Sequence, residues 1–138
     1  MTGWFYGTAT LSRSQVAGKS LMPPIDNMIG FNMANIDAGP NTMKDLVTYQ
    51  NGGIVSRTIL NQKFGTATMF AFDQEQALSE HSTPYDALVI AFDGKADVII
   101  SGKAYSIQEG QMIKLPANEP HAIKALTRFM MLLVMIRK

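Results

Sequence analysis

"ALVIAFDGKADVIISGKAYSIQEGQMIKLPANEPHAIKA" runs from Ala87 to Ala125 and carries the fold on its face. Five runs of strand length, rich in β-branched and aromatic residues, lie between Asp93-Gly94, Ser101-Gly102, Glu109-Gly110 and Ala117-Asn118, all pairs that favour tight turns. The same pattern extends outward on both sides. "IVSRTIL" (Ile54–Leu60), "TATMFAF" (Thr66–Phe72) and "FMMLLVMI" (Phe129–Ile136) are further runs of this kind. Strands at this spacing, with no helix between them, mean an all-β sandwich or barrel. The last run is apolar on successive residues, so both of its faces are covered. One face meets the core, and the other is expected to meet a second subunit in a homodimer. Within one chain, the N-terminal arm or the helix described next is the alternative cover. Lysine at Met131 or Leu133, whichever faces out, is the corresponding test.

Upstream of the strands, "NTMKDLVTYQNGG" from Asn41 reads as a short helix. Asn41 or Thr42 supplies a cap, Met43, Leu46 and Val47 an apolar face, and Gly52-Gly53 a stop. Residues 1–40 mix Gly, Pro and Asn with no steady period and read as an arm, extended or poorly ordered. Met22, Met28, Met33 and Met43 are internal candidates for the natural start. The arm is then either an upstream extension of a shorter protein or a segment that packs on a neighbour. The expected organisation is therefore an arm over 1–40 and a β-barrel domain over 41–138.

A length of 138 residues suits one domain with a proper core. Hydrophobic residues at 46% and charged residues at 17% give an ordinary globular balance. Twelve basic against 11 acidic side chains leave a net charge of +1 with no Lys/Arg run, which argues against a nucleic-acid partner. With no cysteine, disulfides and thiolate metal sites are excluded. The N-terminus lacks the pattern of a secretory signal, and Phe129–Ile136 is far too short to span a bilayer. No membrane partner is expected, and the cytoplasm is the expected location.

The two histidines, His81 and His121, bring a resemblance. Small cupins, barrels of antiparallel strands, share the motifs G-x5-H-x-H-x3,4-E-x6-G and G-x5-P-x-G-x2-H-x3-N. In "GQMIKLPANEPHAIKA", Gly110, Pro116 and His121 fall on the second, with Asn118 in place of the middle glycine and Ala125 in place of the final Asn. Asn accepts the positive φ such a turn needs. His81 and Gly94 fall on the first motif, with 15 residues between Gly94 and Gly110. From about Gly53 to Ile136 the chain resembles the very short single-domain bacterial cupins with an "EH-S/T-TP-DA" signature, here Glu80 to Ala87. The resemblance implies a jelly-roll barrel of the RmlC-like superfamily, with His81 and His121 in one pocket.

Thr83 stands where that pattern has its second histidine, and Ala87 where it has glutamate. Two imidazoles alone hold a divalent ion such as Mn, Fe, Ni or Zn weakly, since a stable site takes three or four protein donors. On a regular strand Asp86 points away from the histidines. A one-residue bulge at Pro84 turns Asp86 inward and completes a metal site of His81, His121 and Asp86. Glu75, Gln76 and Glu80 are weaker candidates on the preceding loop.

Tyr85, Arg57, Thr83 and Met112 are candidates for contact with a small-molecule ligand. Tyr85 offers a hydroxyl at the barrel mouth, and Arg57 a cation for an anionic ligand if it faces in rather than out. Met112, with Met69, Met130, Met131 and Met135, offers either an adaptable lining or core filling. No G-x-S-x-G elbow accompanies Ser79, Ser82 and Thr83, so nucleophilic hydrolysis is rejected. Three functions follow: a small-molecule-binding cupin with a weakly held metal, a metal-dependent oxygenase or isomerase, or a ligand-sensing module that works through a partner.

Overall fold

The computed structural model of the protein describes residues 28–30, 36 and 38–137. The remainder of the 1–40 arm lies outside the described residues. Among the described residues, ten strands follow in order: β1 (Met28–Gly30), β2 (Ile54–Gln62), β3 (Gly65–Phe72), β4 (Ala77–His81), β5 (Asp86–Asp93), β6 (Lys95–Ile100), β7 (Lys103–Gln108), β8 (Met112–Leu115), β9 (His121–Ala125) and β10 (Phe129–Ile136). One sheet runs β1-β2-β3-β10-β5-β8 and the other β4-β9-β6-β7. Every pairing is antiparallel except β1 with β2. The result is the expected jelly roll.

Turn chemistry sets the strand ends. Gly94, Gly102 and Gly110 take φ of 75°, 83° and 90°, and Ser101 and Asn118 take 49° and 67°. Asn118 thus stands in for glycine as its position requires. Alternation decides the faces. Ala87, Val89 and Ala91 of β5 and Phe129, Met131, Leu133 and Met135 of β10 point between the sheets, where they meet Ile54, Phe70, Phe72, Leu78, Val98 and Ile123. Phe72 lies 6.1 Å from Phe70 and 5.8 Å from Phe129, ring centre to ring centre, in tilted arrangements. Burying each such ring is worth about 1.5–3 kcal/mol.

The expected helix is a single 3-10 turn, Met43–Asp45, and Thr42 makes no side-chain cap. A helix this short is marginal in isolation, and tertiary contacts favour an extended path. The Tyr49 hydroxyl donates to the Asp93 carboxylate at 2.5 Å, and the Arg128 guanidinium lies 5.1 Å from the Tyr49 ring centre. Arg128 also donates to Asp73 and Asn51, while Lys44 bridges Asp93 and Glu109. Pinned in this way, Leu46, Val47 and Tyr49 lie over Met69, Ala71 and Met130 on the outer face of the larger sheet. That explains within one chain part of the two-faced apolar pattern of β10. Met131 and Leu133 both face the core, at 0% and 1% exposure, so neither is the outward position of β10. The outward residues are Met130, Leu132, Val134 and Ile136.

Candidate functional site

His81 closes β4, a strand absent from the runs recognised in the sequence because "ALSEH" has too few apolar residues. β4 pairs with β9 so that Leu78 stands opposite Ile123 and His81 opposite His121. Three residues on β4 therefore span two on β9, and the register shifts between Leu78 and His81. In a straight register Glu80 would face His121. The bulge re-aims the chain and puts an imidazole there instead of a carboxylate. The sequence anticipated a bulge at Pro84 serving Asp86; it lies earlier and serves His81.

The rings sit 4.4 Å apart, centre to centre, at 69°. His121 is buried at 3% exposure, and His81 is partly buried. Nδ1 of His81 is 2.9 Å from the Ser79 carbonyl oxygen, and Nδ1 of His121 is 3.1 Å from that of Glu119. A carbonyl only accepts, so each Nδ1 carries the proton and each Nε2 presents a lone pair. Both Nε2 atoms are shut off from solvent. Burial lowers the pKa of His81, and burial with the neighbouring His81 brings His121 down to about 4. At neutral pH the site is thus a pair of neutral imidazoles with buried acceptor nitrogens, the state in which histidine binds metals.

The other expected residues do not join the pair. Asp86 is exposed at the first position of β5, and its carboxylate accepts from the Ala117 N–H at 3.0 Å. Among the described residues, no three His, Cys, Asp or Glu side chains group as a metal site. Thr83 is buried, and its hydroxyl is used within its own turn, between the N–H and the carbonyl of Tyr85. Its carbonyl receives the Asn118 N–H, which ties the β4–β5 connection to the β8–β9 turn. Tyr85 packs beside Ile100 and Ile113 against the core. Ala87, at the glutamate position of the motif, is a buried core residue. Arg57 lies on the strand face opposite Ser56 and Thr58 and donates to the Leu46 carbonyl at 3.1 Å, so it braces the outer segment. Met112 is 60% exposed and lines a shallow groove with Tyr105, Ile107 and Gln111 between β7 and β8, away from the histidines.

The interior also holds a set of hydroxyls that no sequence signal marks. Ser56 and Thr58 of β2 and Thr66 and Thr68 of β3 are all buried, at 0–4% exposure. They alternate with outward residues on neighbouring strands, and Thr58 stands opposite Thr68. Thr is a common β-strand residue, so no sequence signal separated these four from outward threonines.

The comparisons with known proteins place this jelly roll among the cupins. A conserved protein of unknown function from Streptococcus pyogenes is 31% identical, superposes with a TM-score of 0.72, and is matched over 98% of its length and 86% of this chain. A cupin 2 conserved barrel domain protein from Leptotrichia buccalis is 34% identical, with a TM-score of 0.66, over 67% of this chain and 45% of that one. A cupin superfamily protein from Desulfitobacterium hafniense has a TM-score of 0.71 at 18% identity, over 83% of this chain and 98% of that one. The chain belongs to the cupin superfamily. No protein-family model and no curated protein matches the sequence. Among the described residues, no helix is long and apolar enough to cross a membrane.

Proposed function

We propose that this cupin binds a small molecule inside its barrel, against His81 and His121. A divalent cation (Mn, Fe, Ni or Zn), when present, is held weakly by the two Nε2 atoms together with oxygen donors from water or the bound molecule. The observation that carries this reading is the pairing of two buried, neutral imidazoles, with each tautomer set by a backbone carbonyl. The donor set fits half of a metal site: two nitrogen ligands, held in orientation, with no carboxylate grouped beside them among the described residues. Affinity for the ion then depends on the ligand that supplies the remaining donors. A bound divalent ion would supply Lewis acidity to a ligand oxygen. The chain itself contributes the orientation of both rings and the burial of both Nε2 atoms.

Metal content tests this reading. The protein, purified without a histidine tag from metal-replete cells, is assayed for Mn, Fe, Ni, Cu and Zn, and titrated with Zn2+ by calorimetry. Weak binding, lost in both His81→Ala and His121→Ala, is expected. Zn2+ binding unaffected by either substitution would remove the pair from the metal reading.

We also propose that the protein is a homodimer through the outer face of the larger sheet. Val134 is half-buried there, and Leu60, Phe64 and Ile136, at 57%, 62% and 56% exposure, lie around the adjoining β2–β3 turn.

A further inference from the structure

We infer that residues 3–11 of this chain, the segment carrying Trp4, Phe5 and Tyr6, add as an extended strand to the free edge of β7 and fill the groove between β7 and β8. The groove stands apart from the histidine pair, so either site can fail without the other.

Both walls of the groove present open backbone. β7 ends the smaller sheet and β8 the larger, and among the described residues β7 pairs only with β6 and β8 only with β5. In an antiparallel ladder, residues alternate between turning N–H and C=O toward the partner strand and turning both away. The Glu109 N–H donates to the Gly94 carbonyl at 3.1 Å, whereas the Gln108 N–H turns from β6 and donates to Gln111 Oε1 at 3.0 Å. Ser106 and Ala104 share the parity of Gln108, so their N–H and C=O groups also point away from β6. Across the groove, the Ala91 N–H donates to the Gln111 carbonyl and the Gly110 N–H to the Ala91 carbonyl, both at 2.9 Å. The same alternation pairs Val89 with Ile113 and turns the backbone of Met112 and Lys114 outward. Edges of this kind accept an added strand. Between them lies a space of about 360 Å³, lined by Tyr105, Ser106, Ile107, Gln111, Met112 and Ile113.

The segment has the chemistry to match. None of the six lining side chains is charged, and neither is any side chain of residues 1–12. Trp, Phe, Tyr and Thr favour strands. Gly7–Thr10 repeats the Gly-Thr-Ala-Thr that opens β3, where it is extended. With a strand period of two, Trp4 and Tyr6 share a face, and that face suits Tyr105, Ile107 and Ile113. Covering two such rings removes a large apolar area from water, while the main chain meets Ala104 and Ser106. Reach permits it. Leu11 lies 17 residues before Met28 of β1, a span of up to roughly 56 Å at about 3.3 Å per residue. β1 stands five strand positions from β8 in the larger sheet, roughly 24 Å at about 4.8 Å each. The segment therefore reaches the groove of its own chain.

Trp4 is the single tryptophan of the protein, so its fluorescence reads this segment alone. In the full chain, its emission is expected to be blue-shifted and its quenching by iodide severalfold weaker than in the urea-unfolded chain. Two exposed positions test the location. Met112→Lys places a charge in the groove, and Ser106→Pro removes an edge N–H that β6 does not use. Each variant is expected to keep its strands by circular dichroism and to bring emission and quenching of Trp4 close to the unfolded values. Quenching in the parent as strong as in urea would overturn the inference. So would a shielded Trp4 in either variant with its strands intact, because the segment would then be covered elsewhere. Shielding that fades on dilution would give the groove to a second copy's segment and overturn the assignment to the same chain.

Discussion

His81 and His121 are anchored alike: each Nδ1 donates to the carbonyl two residues earlier, Ser79 within β4 for one and Glu119 in the turn before β9 for the other. Two rings 40 positions apart in sequence are thus fixed in the same tautomer and stand edge to face. The arrangement makes both acceptors rather than donors, and its stability depends on their staying neutral.

Acid is therefore expected to weaken the fold through these groups. The folded-state pKa of His121, about 4, lies below the ordinary 6.5, so the unfolded chain binds the extra proton first as pH falls. Stability is complete above pH 6.5, declines as pH drops from there toward 4, and loses nothing more from this group below that. The loss is on the order of 3 kcal/mol for His121, and His81 shifts in the same direction. Urea unfolding at pH 7.5 and pH 4.5 should show a markedly smaller difference for His121→Gln than for the parent. Equal differences would mean that carboxylates alone carry the acid sensitivity.

Protons and metal ions compete for the same lone pairs. At pH 7.5 a Zn2+ concentration a hundredfold above its dissociation constant is expected to stabilise the protein by about 2.7 kcal/mol. Scanning calorimetry of His81→Ala should show little gain. A gain retained in that variant would point to carboxylate ligands elsewhere.

Gly94 and Gly102 make a controlled pair, both with positive φ. A Cβ on Gly94 would fall 1.8 Å from the Arg128 carbonyl oxygen, whereas one on Gly102 meets nothing within 4 Å. Gly102→Ala is expected to cost about 1 kcal/mol from backbone strain alone. Gly94→Ala forces two backbones apart and should cost well over twice that, read as loss of soluble folded protein or a large fall in denaturation midpoint. Similar costs for both would refute the close approach.

Tyr49→Phe removes one hydroxyl from the clasp that holds the Leu46–Tyr49 segment on the outer face. The ring and its contact with Arg128 remain, while Asp93 keeps Lys44. A loss of about 1–2 kcal/mol is expected, since the acceptor is charged and partly buried. Burial and the Asp93 carboxylate also push the phenol pKa above its ordinary value. Absorbance titration should accordingly lose a late-titrating phenol in the variant; an unchanged curve would contradict the hydrogen bond.

On β10 one-residue steps separate two kinds of outcome. Met131→Lys buries an unpaired charge in the core and is expected to abolish folding. Val134→Lys points outward, should keep the fold, and should halve the mass seen by light scattering. A folded Val134→Lys with the parent's mass would place any interface elsewhere.

The strands and turns were legible because their signals are local. Gly94, Gly102, Gly110 and Asn118 announce their backbone angles by residue type, and the alternation in β5 announces its buried face. The resemblance to cupins, read from Gly110, Pro116 and His121, brought the two histidines together correctly. Tyr49 shows where local reading fails: the residues around it suit a helix, but its bond to Asp93, 44 positions away, draws the segment straight.

By itself the sequence determined an all-β barrel, its turns, and the two histidines as its most informative polar residues. Tertiary structure alone decided which carboxylates stay out, which hydroxyls turn in, and that Arg57 braces the exterior. The reason is parity. A strand has two faces, and one extra residue, such as that between Leu78 and His81, exchanges them. No residue type records which face it will take until its partner strand is in place.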